Sequence, residues 1–329
     1  MARTGEPVSW AALVVPALVA FFGALGLARS PLARRLIDRP NERSLHTEAT
    51  PRVGGIALLL GALSIAAWGS DPTIRGLLVF AVALAVVSAM DDARPLPVLV
   101  RLGAHALAAV GAVLYLGSPA DGAYSVFTLL VFAVPAIAWM TNLFNFMDGS
   151  DGLAGCMGAV GFGTLGLVAL TANEPALGFA SLAIASANIG FLGVNWPPAR
   201  VFMGDAGAIP LGFLAGVLGV LGFVRHVWPA WFPVMVFAPF VFDATFTLLR
   251  RLARRERIWI AHRQHAYQKL VLTGWNKRKL ATWALVAMIC NAAAACAALR
   301  QSGSERYVII SVLAVAWLLL LAAIERRRA

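Results

Sequence analysis

Charge is scarce in this chain, and acidic charge is scarcest. Asp and Glu supply only 16 of 329 residues, and all charged types together make up 13%. A soluble protein of this length needs far more polar surface, so that class is excluded. Cysteine is also rare. Cys156, Cys290 and Cys296 each lie in an apolar run, with neither disulfide nor zinc spacing, and read as small hydrophobes. No internal repeat or low-complexity stretch is evident, which removes the usual signature of a transporter built from repeats.

What remains is apolar sequence, at 60% of residues. Apolar runs fall near 8–28, 53–69, 74–90, 97–117, 125–145, 154–171, 176–195, 206–225, 229–249, 280–299 and 306–324. Each approaches the roughly 20 residues that cross a bilayer as a helix. The reading is an all-α, polytopic integral membrane protein with about ten or eleven spans, forming a single membrane domain over residues 1–329. The third run reads as short. The first lacks a strongly basic leader and a clear cleavage site, and reads as a retained span.

The net charge of +11 raises the question of nucleic acid, but the basic residues flank apolar runs. With loops alternating in side, 22 of the 27 Lys and Arg fall after odd-numbered spans or in the C-terminal tail. The positive-inside rule then places those loops and the C-terminus in the cytoplasm and the N-terminus outside. The expected location is a membrane with these loops on its cytoplasmic face, with no nucleic-acid partner. Loops 29–52, 91–96, 142–153, 196–205 and 250–279 would form a cytoplasmic active site.

The few acids are placed with the same bias. Asp91, Asp92, Asp148, Asp151 and Asp205 lie at ends of apolar runs, all on the expected cytoplasmic side. Carboxylates at a membrane boundary are expensive and point to chemistry on a polyanion, through a divalent metal. Asp91 and Asp92 end a helix, where acids oppose the macrodipole, and adjacent helical residues point about 100° apart, so they should have different roles. Asn142, Asn145, Asp148 and Asp151 recur every third residue, so that neighbours share a helix face. Asn195 opens a Pro-Pro segment that runs to Asp205 between Gly204 and Gly207, with Arg200 as a nearby cation. Asp205 could serve as a helix cap, but the glycines on either side favour close access by phosphate or metal. His262 and His265 stand three apart beside Arg263 and Lys269, as suits a phosphate clamp. A two-His zinc site lacks an acidic partner in that segment. His105 and His226 have no such company and read as packing residues. The first loop, with Asn41, Arg43, His46 and Arg52, carries more donors than a plain connection needs.

In order and spacing, these segments resemble the polyprenyl-phosphate N-acetylhexosamine-1-phosphate transferases of glycosyltransferase family 4. That family includes the phospho-MurNAc-pentapeptide translocase and the enzymes that start O-antigen and teichoic-acid linker synthesis. The resemblance runs from Pro40 to about Lys279. The segment His262-Arg-Gln-His-Ala-Tyr-Gln-Lys269 looks closer to the O-antigen-initiating type. The resemblance implies a Mg²⁺-dependent reaction, with Mn²⁺ as a substitute, in which a UDP-N-acetylhexosamine and polyprenyl phosphate give polyprenyl-diphosphate-sugar and UMP. It implies Asp91 as base near the lipid phosphate with Asp92 as partner, and Asp205 with Asp151 at the metal. Asn41, Arg43, His46, Arg52, Asn142, Asn145, Asp148, Asp151, Asn195, His262, Arg263 and His265 would bind substrates. A homodimer is compatible with this reading. The chain departs from the family pattern at Leu99, where a basic residue is common and Arg94 or Arg101 would replace it. Val53 stands where glycine is usual, and Ala208 where serine is common. The rival reading is an intramembrane Mg²⁺-dependent prenyltransferase, whose two acidic clusters should resemble each other; here they differ.

Overall fold

The computed structural model describes residues 11–40, 45, 48–64, 71–119, 122–257, 259–260 and 262–326. Long apolar runs become helices because a helix satisfies its backbone polar groups within one segment, as a bilayer requires. The helices are α1 (Ala11–Ala28), α2 (Pro31–Arg35), α3 (Gly54–Leu63), α4 (Pro72–Ala93), α5 (Val98–Leu116), α6 (Val126–Met147), α7 (Leu153–Thr171), α8 (Pro175–Asn195), α9 (Asp205–Val224), α10 (Trp231–Val236), α11 (Ala238–Ala253), α12 (Ala266–Leu272), α13 (Lys277–Arg300) and α14 (Glu305–Glu325). A two-residue antiparallel pair, β1 (Ile37–Asp38) with β2 (Thr50–Pro51), lies in the first loop. The chain is all-α and polytopic, and among the described residues eight helices are long and apolar enough to cross a membrane. Two more apolar helices, at the first and second runs, are shorter.

Two expectations about the spans change. The third run is not short: α4 covers 22 residues, started by Asp71, whose carboxylate accepts from Thr73 N at 2.8 Å. The ninth run is not one helix but breaks at Phe237 between α10 and α11. Pro239 explains the break. In a continuous helix the Met235 carbonyl would accept from residue 239, and proline has no N–H to give. Asn291 of α13 fills the vacancy, donating from Nδ2 to Met235 O at 2.6 Å, while Trp317 of α14 donates to Asn291 Oδ1 at 2.9 Å. An interior polar side chain thereby satisfies a carbonyl that water cannot reach. Replacing Asn291 with Leu should destabilise the folded protein by about 1–2 kcal/mol. Thermal unfolding in detergent measures this; an unchanged midpoint would show that the carbonyl needs no partner.

Helix α9 forms the centre of the bundle and is buried over most of its length. It packs against α6 and α4, while α7 and α8 pair closely and α1 lies against α8 and α3. The α6–α9 contact depends on small residues. A Cβ at Gly212 would come within 2.3 Å of the Met140 carbonyl oxygen, and one at Gly216 within 2.9 Å of Ile137 Cα. Spacing of small residues by four lets backbones approach where no hydrophobic force drives them together. At one end, Arg225 after α9 donates to Asp71 at 2.8 Å and to Glu174 at 3.2 Å, tying α9 to the starts of α4 and α8. The other end of α9 starts at Asp205 and carries the candidate site.

Candidate functional site

The backbone around the start of α9 is fixed first. Phe202 N donates to Pro51 O at 2.9 Å, Gly54 N to Phe202 O at 3.0 Å, and Gly55 N to Met203 O at 2.9 Å. Segment 202–203 therefore runs alongside residues 51–55 and brings Arg52 against the start of α9. Gly204 turns the chain there with φ +72°, a conformation that favours glycine. A Cβ on it would lie 3.1 Å from Arg52 Cβ and 3.2 Å from an Asp92 carboxylate oxygen.

Asp91 and Asp92 do point to different partners, as their adjacency on a helix requires. Asp91 accepts from Leu96 N at 2.6 Å and from Arg101 Nη1 at 3.1 Å, so both its oxygens are engaged. Asp92 turns instead to the start of α9. Its Oδ2 accepts from Ala206 N at 3.3 Å, and its Oδ1 lies 3.7 Å from Arg52 Nη1. A helix N-terminus, with free N–H groups and the positive end of the dipole, is a favourable place for that carboxylate. Asp205 accepts from Asn145 Nδ2 at 3.3 Å. Asp148 ends α6 beside them. Burial pushes its carboxyl well above the usual range, and Asp205, Asp92 and Asp151 push the same way against the opposing charge of Arg52. Arg52 also pairs with Asp38 at 2.8 Å, so the acids are not fully offset by cations.

Asp151 faces elsewhere in the cavity. It accepts from Lys277 Nζ at 2.7 Å and from Ala199 N at 3.0 Å. Asn195 holds this side together, accepting from Gly152 N and donating to Val201 O, both at 2.9 Å. The rings of His262 and His265 lie with centroids 4.9 Å apart and planes tilted by 34°. Burial, then His265 and Arg251, push His262 down to about 4, so it is neutral at pH 7.

A cavity of about 680 Å³ lies here, and Asp91 and Asp92 are not among its lining residues. Asp148, Asp151 and Asp205 line it with Arg52, Asn142, Asn145, Asn195, His262, His265 and Lys277. One flank is apolar, with Val98 and Leu102 of α5, Leu248 of α11, and Trp259 and Ile260. Arg263 is exposed and is not among the lining residues. Asn41, Arg43 and His46 lie outside the described residues. Sequence reasoning passed over three lining or supporting groups. His105 and Lys277 both line the cavity, and buried Asp243 contacts the His265 segment from α11. An acid inside an apolar run was the available signal for Asp243. Lys277 was counted only as topological charge. Arg101 meets Asp91, whereas Leu99 is 83% exposed.

The donor set suits a hard cation. Among the described residues no three His, Cys, Asp or Glu side chains close around a common ligand position. A cation held by Asp205 with Asp148 would complete its shell with water and phosphate oxygens, which is how Mg²⁺ commonly binds. Asp151, expected from the sequence as a metal residue, already has Lys277 and Ala199 N on its two oxygens.

Comparison with known proteins gives the same picture as the motifs. The sequence model of glycosyl transferase family 4 matches residues 74–223, a span that includes Asp91, Asp92, Asn145, Asp148, Asp151 and Asp205. A probable undecaprenyl-phosphate N-acetylglucosaminyl 1-phosphate transferase of Bacillus subtilis (strain 168) is 27% identical, over 76% of this chain and 75% of its own length. An undecaprenyl-phosphate alpha-N-acetylglucosaminyl 1-phosphate transferase of Thermotoga maritima is 25% identical, over 81% of each chain. A phospho-N-acetylmuramoyl-pentapeptide-transferase of Moorella thermoacetica is 28% identical, over 72% of this chain and 80% of its own. The resemblance drawn from the motifs is borne out.

Proposed function

We propose that this glycosyl transferase family 4 relative is a phosphosugar transferase that moves N-acetylhexosamine 1-phosphate from a UDP-sugar to polyprenyl phosphate. The products are a polyprenyl-diphosphate-sugar and UMP, and the step starts a lipid-linked cell-envelope glycan such as O-antigen. The observation that carries this reading is the two-sided cavity. Its lining joins carboxylates and Arg52 near the start of α9 with apolar residues of α5 and α11. A polyprenyl chain fits the flank and an anionic diphosphate the polar end. The positive-inside count supports a cytoplasmic setting for this end of the bundle, where nucleotide sugars are available.

In the reaction an oxygen of the lipid phosphate attacks the β-phosphorus of the UDP-sugar. The bond from that phosphorus to the bridging oxygen breaks, and UMP leaves with the electron pair. Two anions must approach, so the residues' main task is to offset charge and fix the line of attack. Asp92 takes any proton left on the lipid phosphate. Asp91, with both oxygens bonded, holds Arg101 in place instead of acting as the base expected from the sequence. Arg52 and the start of α9 supply positive potential, while Asn145 positions Asp205. His262, neutral at pH 7, serves the donor as a hydrogen-bonding group. Mg²⁺ or Mn²⁺, bound at Asp205 with Asp148, would neutralise charge on the diphosphate.

Purified protein in detergent, given undecaprenyl phosphate, Mg²⁺ and a panel of UDP-sugars, should release UMP with at least one UDP-N-acetylhexosamine. EDTA should stop release and added Mg²⁺ restore it. No UMP with any member of the panel would overturn the assignment.

A further inference from the structure

Asp243 is buried in α11, at 4% exposure. A carboxylate at such depth is costly unless its oxygens are bonded. Its Oδ1 accepts from Ala266 N at 2.9 Å and from Thr247 Oγ1 at 3.2 Å, and its Oδ2 accepts from Tyr267 N at 3.3 Å. Asp243 thus satisfies the first two N–H groups of α12 from a neighbouring helix. His265, the residue just before α12, places Nδ1 3.5 Å from Oδ1 of the same carboxylate. That nitrogen has no hydrogen-bond partner among the described residues.

The ring itself is tightly confined. It is 2% exposed and stacks between Phe146, at 6.1 Å between centroids, and Tyr267, at 5.9 Å. Tyr267 in turn donates from its hydroxyl to Phe146 O at 3.0 Å, two residues before Asp148. With Nδ1 turned to Asp243, Nε2 is the polar atom that His265 can offer to a ligand in the cavity. A carboxylate behind one ring nitrogen commonly decides which way the other faces.

We propose that Asp243 is a positioning residue for sugar-phosphate transfer. It sets the direction of His265 toward the donor diphosphate, and its effect on turnover runs through that histidine. The proposal rests on the transferase reading above, and the two can fail separately. A cycle of Asp243→Asn, His265→Asn and the double variant separates positioning from mere support, with kcat normalised to folded protein by size-exclusion chromatography. Asp243→Asn should lower kcat by about 10–100-fold, with KM for both substrates little changed. His265→Asn should lower it at least as much. The double variant should match His265→Asn within about twofold, because an absent histidine leaves nothing to position. Losses that multiply, or an Asp243→Asn enzyme at wild-type turnover, would overturn the positioning role and leave the transferase reading intact. A wild-type protein that releases no UMP would overturn both. If Asp243→Asn does not yield folded protein, Thr247→Val enters the same cycle. It removes one partner of Asp243 and should lower kcat several-fold, but only while His265 is present.

Discussion

Asp205→Asn is expected to lower turnover by about 10³ or more while leaving the protein folded in the membrane. The substitution keeps the shape of the side chain and an oxygen for Asn145 Nδ2, now 3.3 Å away, so α9 starts as before. What disappears is the negative charge at the point where α9, Asn145 and Arg52 converge. If Asp205 holds the divalent cation against the diphosphate, its loss removes charge stabilisation made at the transition state, and a factor of 10³ corresponds to about 4 kcal/mol. Apparent Mg²⁺ affinity should fall in parallel. Turnover within tenfold of wild type, with unchanged Mg²⁺ dependence, would move the cation away from Asp205.

The second large effect separates the adjacent acids. Asp92→Asn should cost about 10²–10³ in kcat, and Asp91→Asn closer to tenfold. The neighbours explain the asymmetry. Asp92 sits over the start of α9 at 3.3 Å from Ala206 N and 3.7 Å from Arg52, which itself lines the cavity. Asp91 is bonded to Leu96 N and Arg101, and Asn in its place keeps the first bond while weakening its hold on the guanidinium. Steady-state kinetics on both variants decides the matter. A larger loss at Asp91 would restore that residue as the base and make Asp92 its support.

Much of the molecule was legible in the sequence because membranes make composition and structure nearly the same question. Apolar runs give the helices, and three of the acids at their ends, Asp148, Asp151 and Asp205, line the cavity. Even the different partners of Asp91 and Asp92 follow from a helix turning about 100° per residue. The parts that escaped are set by contacts between distant segments. Pro239 shows where α10 and α11 could part, but Asn291, 56 residues away from Met235, is what stabilises the parting. Asp151 appears equal to Asp148 in the sequence until Lys277, 126 residues on, takes its oxygen. Asp243 was visible as a charge within an apolar run, but its meaning depends on α12 folding back onto α11.

The central claim is that a phosphate travels with the sugar. UDP-N-acetylhexosamine labelled with ³²P at the β-phosphate tests it most directly, in a reaction with undecaprenyl phosphate followed by lipid extraction. Transfer of sugar 1-phosphate carries the label into the lipid phase and leaves unlabelled UMP in water. Label remaining in the aqueous phase as UDP while the sugar enters the lipid would mean simple glycosyl transfer, and would contradict the account.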